Sequence, residues 1–256
     1  MSKDPSRHFE ILNLAGTTAL GQTSASSLYN FTVGRGEILV VLGGKDSSSL
    51  LRLLLGLGNV TSGDVRIDGD SLFGKQLSAN QILNSRHKIG FAFRDKGLIS
   101  NLSILDNVDL PAKYHGYYGK NSSLEKGALA VQALEDIGIQ RDLWGVRPNR
   151  ISGEIRKKVL LARSVVLNPS VLILDDPTAM AASPVVGTIL KWVLQQKKKG
   201  TAVLIGTDDY PFGLSVADSV LHPVTGKKVS EYSDFMDAIW LESASILKNR
   251  IVATCS

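Results

Sequence analysis

The sequence predicts an α/β fold built on a mainly parallel sheet, and three observations carry that reading. Short uninterrupted apolar runs recur at Ile38–Leu42, Val171–Leu174 and Ala202–Ile205. A run of this length that is apolar on both faces suits a strand covered on both sides, as parallel sheets are. Helical periodicity alternates with these runs, at residues 50–57 and at Val185–Gln196, which is the order a strand–helix–strand unit needs. Finally, the pattern turns helical from about Leu98 to Lys158, which reads as a second, helical lobe inserted into the first.

The elements follow in order. Three β-like runs open the chain, at Phe9–Leu12, Leu28–Val33 and Glu37–Leu42, and the helix over 50–57 comes next. Asp64–Ile67 reads as a strand closed by the turn Asp68-Gly69, and Ile89–Phe93 as another strand. Within the helical stretch Leu124–Ile137 is amphipathic. After the strand Val171–Leu174, the helix Val185–Gln196 runs into Lys197–Lys199 and Gly200. Cations on the negative end of the helix dipole, followed by a glycine stop, make this a helix C-terminus rather than a binding patch. The strand Ala202–Ile205 and a hairpin over Ser219–Val229 complete the lobe. A last helix, about Ser233–Arg250, sets Met236, Trp240, Ala244, Leu247 and Ile251 on one stripe, for packing within the fold or docking to a partner.

Composition excludes several classes. With 256 residues, 43% of them hydrophobic, the chain can bury a sizeable core. No apolar run approaches the about 18 residues of a membrane span. The N-terminus MSKDPSRHF lacks the apolar centre of a secretory leader. A single cysteine, Cys255, rules out an internal disulfide framework and suits a reducing compartment. His8, His87, His115 and His222 lack metal-ligand spacing. The net charge of +5 is not gathered into one stripe, so nucleic acid is not expected as a partner.

The most informative segment is GGKDSSS, Gly43 to Ser49, set between the strand Ile38–Leu42 and an apolar helix. A phosphate loop belongs there, and its pattern asks for G-x-x-x-x-G-K-[ST]. The segment has no lysine at the required place. Further segments follow in a fixed order: SGDVRIDG, IGFAFRD, NLSILDNVDLP, ISGEIRKKVLLARSV, VLILDDPTAM and VLIGTDD. Together they resemble the nucleotide-binding subunit of ABC transporters over roughly residues 9 to 230. NLSILDNVDLPAKYHG resembles most the ATPases of bacterial lipid transporters of the Mce-associated type. The resemblance implies a P-loop NTPase-like, RecA-like lobe with a mainly parallel sheet, a small antiparallel β lobe and the inserted helical lobe. It divides the chain into a core of residues 9–94 and 159–232, a helical lobe of 95–158, and a C-terminal helix and tail of 233–256. It also implies a dimer with composite nucleotide sites.

Carried over residue by residue, the resemblance marks a site altered on every side. Anchored on LLRLLLGL, Ser47 takes the lysine position and Ser48 that of the Mg²⁺ hydroxyl, with a loop about two residues short; anchored on Gly43, Ser49 and Leu50 take them. The vestigial loop is then Gly43, Gly44, Lys45, Asp46, Ser47, Ser48 and Ser49. Asp46 sets a negative charge where phosphate would lie, Lys45 is the nearest substitute cation, and the serines can equally cap the helix. Residues 10–28 hold no aromatic to stack on adenine. Arg94 stands for a glutamine; having no acceptor it cannot ligate a cation, and a structural ion pair with a local acid such as Asp46 or Asp175 is favoured over binding a phosphate. Asp175 could still hold Mg²⁺, so a weak metal site at Ser48 and Asp175 is the one metal reading. Asp176 replaces the catalytic glutamate, one methylene shorter. Asp208 replaces the switch histidine. In the signature loop Ser152, Gly153 and Glu154, the glutamate replaces a glycine and faces the partner's nucleotide. Ala182 or Ser183 stands where an interface aspartate belongs.

These readings imply a catalytically degenerate ABC-type subunit with no confident catalytic residue and no resident cofactor. It would act as a structural or regulatory part of a membrane transporter for lipids, peripheral on the cytoplasmic face of the inner membrane. Its expected partners are permease subunits, contacted by residues 98–152, and a second ATPase subunit in a homo- or heterodimer. The alternative is a weakly active or ATP-binding subunit using Mg-ATP, with Lys45, Asp175 and Asp176 as its working residues.

Overall fold

The apolar runs become the centre of a six-stranded sheet. In the computed structural model the described residues are 8–18, 21–22, 28–73, 85–94, 97–118, 125–179, 181–222 and 226–230. The C-terminal helix and tail expected over 233–256 lie outside them.

The strands are β1 Phe9–Thr18, β2 Gly21–Gln22, β3 Tyr29–Val33, β4 Ile38–Leu42, β5 Asn59–Ile67, β6 Asp70–Ser71, β7 Ile89–Ala92, β8 Val171–Asp175, β9 Ala202–Thr207, β10 Ser219–Leu221 and β11 Lys228–Val229. The α-helices are α1 Gly44–Leu54, α2 Ile104–Tyr114, α3 Ala128–Asp136, α4 Gly153–Val165, α5 Ser183–Lys198 and α6 Tyr210–Val216. The large sheet has the order β11-β10-β4-β9-β8-β7. Its pairs are parallel apart from the β10–β11 hairpin. A smaller antiparallel sheet joins β2-β1-β5-β6, with β3 also on β1.

Strand alternation divides the core in two. On β4, Ile38, Val40 and Leu42 face the helical side while Leu39 and Val41 face the antiparallel sheet. Strands β8 and β9 split the same way, Leu172, Leu174, Val203 and Ile205 against Val171, Ile173, Ala202 and Leu204. A strand with both faces buried needs apolar side chains at every position, which is why these segments read as unbroken runs. Trp192 of α5 and Leu134 of α3 fill the first core, and Leu50, Leu51, Leu53 and Leu54 of α1 fill the second.

Several boundaries differ from expectation. The first strand extends to Thr18 rather than ending at Leu12, and β5 begins at Asn59 rather than Asp64. Residues Asn59–Gly63 are largely exposed, so no apolar alternation marked them; backbone pairing with β1 holds them instead, Thr17 with Asn59 and Gly16 with Val60. Gly16 permits that approach, since a Cβ there would lie 2.4 Å from the Asn59 carbonyl oxygen. Helix α4 runs unbroken through residues 158 and 159, so a lobe boundary at that point falls inside one helix.

Candidate functional site

The site forms at the C-terminal ends of β4, β8 and β9, where helices of the α/β layer begin. At the end of β4 the connection to the following helix is a single residue. Strand β4 ends at Leu42 and α1 starts at Gly44, so Gly43 alone makes the connection. Gly43 takes φ 115° and ψ 102°, a conformation open to glycine and strained for other residues. The backbone N–H of Ser47 already donates to the Gly43 carbonyl at 2.8 Å, a helical bond. The helix expected over 50–57 therefore starts six residues earlier and ends at Leu54. Its early start is favoured by the small serines: Ser47, Ser48 and Ser49 are all buried, and a Cβ at Gly206 of β9 would meet the Ser47 Oγ at 3.1 Å. Asp46 sits in the first helical turn, where a carboxylate offsets the positive end of the dipole. Burial, with the Asp46 charge second, pushes the Tyr29 phenol up to about 12.

Ser48 faces Asp175. Its hydroxyl donates to Asp175 Oδ1 at 2.6 Å, with both side chains buried. Ser48 takes the metal-hydroxyl position in one of the two sequence registers; Leu50, which takes it in the other, is buried in the second core.

Asp176, next along, has φ 48° and is held from several directions. Its backbone N–H donates to the Gly206 carbonyl at 2.7 Å, and its Oδ1 accepts from the Thr207 hydroxyl at 3.0 Å. Arg94 Nη2 lies 3.3 Å from Asp176 Oδ2, and Arg94 Nη1 lies 3.7 Å from Asp208 Oδ2. Arg94 was expected to pair with Asp46 or Asp175. It bridges Asp176 and Asp208 instead, because β7 and β9 flank β8 and bring the residues following all three strands together. Asp208 accordingly faces a guanidinium, and its charge is compensated within the chain. Burial raises the Asp176 carboxyl above its ordinary value; the Thr207 hydroxyl, Arg94 and Lys157 oppose that rise, and Asp208 adds to it. Lys157 of α4 is buried and donates through Nζ to the carbonyls of Arg94 and Asp176.

The signature segment is likewise engaged internally. Ser152 caps α4, its side chain accepting from the Ile155 N–H. Glu154 Oε1 accepts from the Ala182 N–H at 2.8 Å. Ala182 is the N-cap of α5 and has no capping side chain of its own, so Glu154 supplies that cap from another helix. The Asp209 side chain accepts from the Phe212 N–H and the Thr178 hydroxyl. The structure thus unites Ser48 with Asp175, and Arg94 with Asp176 and Asp208, while Glu154 serves a different contact. Among the described residues, no group of three or more His, Cys, Asp or Glu is placed to hold a metal ion.

A family model described as ABC transporter matches residues 27–179, more than half of the chain. The chain belongs to the ABC transporter family. Among related proteins, it is 32% identical over 202 residues to the methionine import ATP-binding protein MetN of Carboxydothermus hydrogenoformans, covering 78% of this chain and 58% of that protein. It is 27% identical over 228 residues to the glutamine transport ATP-binding protein GlnQ of Geobacillus stearothermophilus, covering 87% of this chain and 91% of the relative. A dimeric bacterial ABC transporter cassette superposes with a TM-score of 0.75 at 23% identity, over 87% of this chain and 98% of the cassette. The cbiO1 structure from Clostridium perfringens gives 0.72 at 23% identity, over 96% and 97%. These likenesses establish the shared α/β fold of the family. Among the described residues, no helix is long and apolar enough to cross a membrane.

Sequence reasoning missed two participants and one pair. Lys157 could have been found, since it shares a face of α4 with buried Leu160, Leu161 and Ser164, and a lysine there needs partners. Thr207 carried no signal. His87 and His115, far apart in sequence, stand with ring centroids 3.6 Å apart.

Proposed function

We propose that this chain serves an ABC transporter as a structural or regulatory subunit that does not hydrolyse ATP. The observation that carries the reading is the passage from β4 to α1 through Gly43 alone. A triphosphate needs a run of backbone N–H groups curling around it, a lysine, and a hydroxyl on Mg²⁺. With α1 starting at Gly44 there is no such run, Ser47 is buried beneath Gly206, and the Ser48 hydroxyl is given to Asp175. Arg94 holds Asp176 and Asp208, the residues standing where catalysis and γ-phosphate sensing belong. The residues present do not fit Mg-ATP.

In this reading the chain lies on the cytoplasmic face of the inner membrane, peripheral to permease subunits that meet residues 98–152 of the helical lobe, and it pairs with a copy of itself or with another ATPase subunit. Any ATP consumed by the assembly is hydrolysed at a competent subunit elsewhere. The likeness of NLSILDNVDLPAKYHG to lipid-transporter ATPases favours a lipid cargo; co-purification with the permease followed by mass spectrometry of bound lipid tests it.

The deciding experiment is titration of the purified chain with a fluorescent ATP analogue and Mg²⁺. We expect no binding in the micromolar range. Micromolar binding would overturn the reading of the chain as a scaffold that takes no nucleotide, and turnover would overturn the proposal as a whole. The retained Ser48–Asp175 pair favours one second reading, a weak ATPase using Lys45, Asp175 and Asp176. Turnover abolished by Asp176→Ala would establish that reading in place of ours.

A further inference from the structure

We propose that His87 and His115 form a proton-sensitive fastening between the end of α2 and the helical residues 85–87 that lead into β7. His115 is the C-cap residue of α2, and His87 lies two residues before β7. Their rings meet edge to face, 62° apart with centroids 3.6 Å apart, and Tyr114 packs edge-on against His115 at 4.9 Å. The fastening is independent of whether the chain binds nucleotide.

Among the described residues, no carboxylate contacts either imidazole, and His87 Nε2 is buried without a hydrogen-bond partner. The charged groups beside them are committed or of the wrong sign. Lys88 pairs with Asp70 at 2.7 Å, and Lys113 pairs with Asp106 at 2.8 Å and Asp109 at 3.2 Å. Arg86, next to His87, brings a further positive charge. Two neutral imidazoles carry no like charge at this close contact, whereas two imidazolium rings repel at short range. Burial first, and the neighbouring His87 second, hold the His115 imidazole below its ordinary value.

The sign follows from that depression. The unfolded chain takes up the proton first, at the ordinary value of 6.5, while the folded contact resists it. Stability from the contact is therefore full above that pH and is lost as pH falls through and below it. Release frees the last turn of α2, where the His115 N–H donates to the Pro111 carbonyl at 3.0 Å and the Tyr117 N–H to the Ala112 carbonyl at 3.0 Å.

Two measurements on the full chain test this. Nuclear magnetic resonance titration of the imidazoles should give coupled steps, with one ring protonating below the ordinary range. Amide hydrogen exchange at His115, Gly116 and Tyr117, corrected for intrinsic rate, should be several-fold faster at about pH 5.5 than at about pH 7.5. In His87→Phe, which keeps a ring and removes the charge, the exchange difference should vanish and His115 should titrate upward; His115→Phe makes the reciprocal test if the first variant folds poorly. Independent titration of both rings at one ordinary value overturns the proposal. So does a pH-dependent loosening that survives in either phenylalanine variant.

Discussion

Replacing Arg94 by glutamine should destabilise the protein, and the cost should shrink with acid. The guanidinium is 3.3 Å from the Asp176 carboxylate and 3.7 Å from that of Asp208. At an effective dielectric of about 20, the closer pair interacts by about 5 kcal/mol before screening. The Arg94 side chain is 48% exposed and Asp208 50%, but Asp176 only 8%, so water removes most of that figure. Exposed pairs are worth about 0.2–1 kcal/mol, and removing one partner of a fully buried pair costs about 3–5 kcal/mol. A half-buried bridge between those limits gives a loss of about 1–2 kcal/mol for Arg94→Gln. The pH dependence identifies the cause. Asp176 already has a raised folded value, with Arg94 among the groups opposing the rise; without Arg94 it rises further. A raised carboxyl binds its proton in the folded state before the unfolded one does. Its penalty is therefore present above the folded value and relieved as pH falls toward the ordinary 3.8. Urea unfolding read by tryptophan fluorescence, with Trp192 as a buried reporter, measures both effects. Asp176→Asn added to Arg94→Gln should recover much of the loss, since an amide oxygen still accepts from Thr207. Equal stability of Arg94→Gln and the parent across pH, or a loss that grows with acid, would refute the reasoning.

Three further substitutions probe the same region. Ser48→Ala removes the hydrogen bond that Asp175 accepts at 2.6 Å in a buried setting and should cost about 1–3 kcal/mol in urea unfolding. Ser47→Lys should fail to create binding of the fluorescent ATP analogue, because the position is buried under Gly206, and should lower stability by about 1–3 kcal/mol through overpacking; acquired ATPase activity in this variant would contradict the proposed function. Glu154→Ala leaves the Ala182 N–H without its acceptor and should cost about 1 kcal/mol, with faster hydrogen exchange confined to the first turn of α5.

What the sequence disclosed and what it hid follow from the range of the forces involved. Strands β4, β8 and β9 were legible because burial on both faces demands apolar residues throughout. The end of α5 was legible because capping is local: Lys197 and Lys198 close the helix and Gly200 takes φ 84°. The start of α1 was not, since glycine and serine suit a loop as well as a helix turn, and the decision rests on burial of the serines, with Ser47 packed beneath Gly206 of β9. The partners of Arg94 were hidden for the same reason. Sequence placed Arg94, Asp176 and Asp208 at one site but could not say which acid met the guanidinium, because that depends on β8 lying between β7 and β9. The two histidines were scattered by sequence and joined by topology.

The internal pairing bears on what the site can accept. A site that awaits a magnesium-bound triphosphate keeps donors and charges turned toward it, at some cost to the empty protein. Here Ser48 satisfies Asp175, Arg94 spans Asp176 and Asp208, Thr207 donates to Asp176, and Lys157 joins the backbone after β7 to that after β8. An entering metal would have to take Asp175 from Ser48, and an entering phosphate would have to draw Arg94 from two carboxylates and leave them facing it. Withdrawing Arg94 from the two acids costs about 1–2 kcal/mol, a sizeable part of the whole binding free energy of a millimolar ligand, about 4 kcal/mol. The two apolar cores need no such ligand, as their strands and helices bury one another. A frame that stands on its packing, around site groups that already pair with one another, is what the proposed structural role needs.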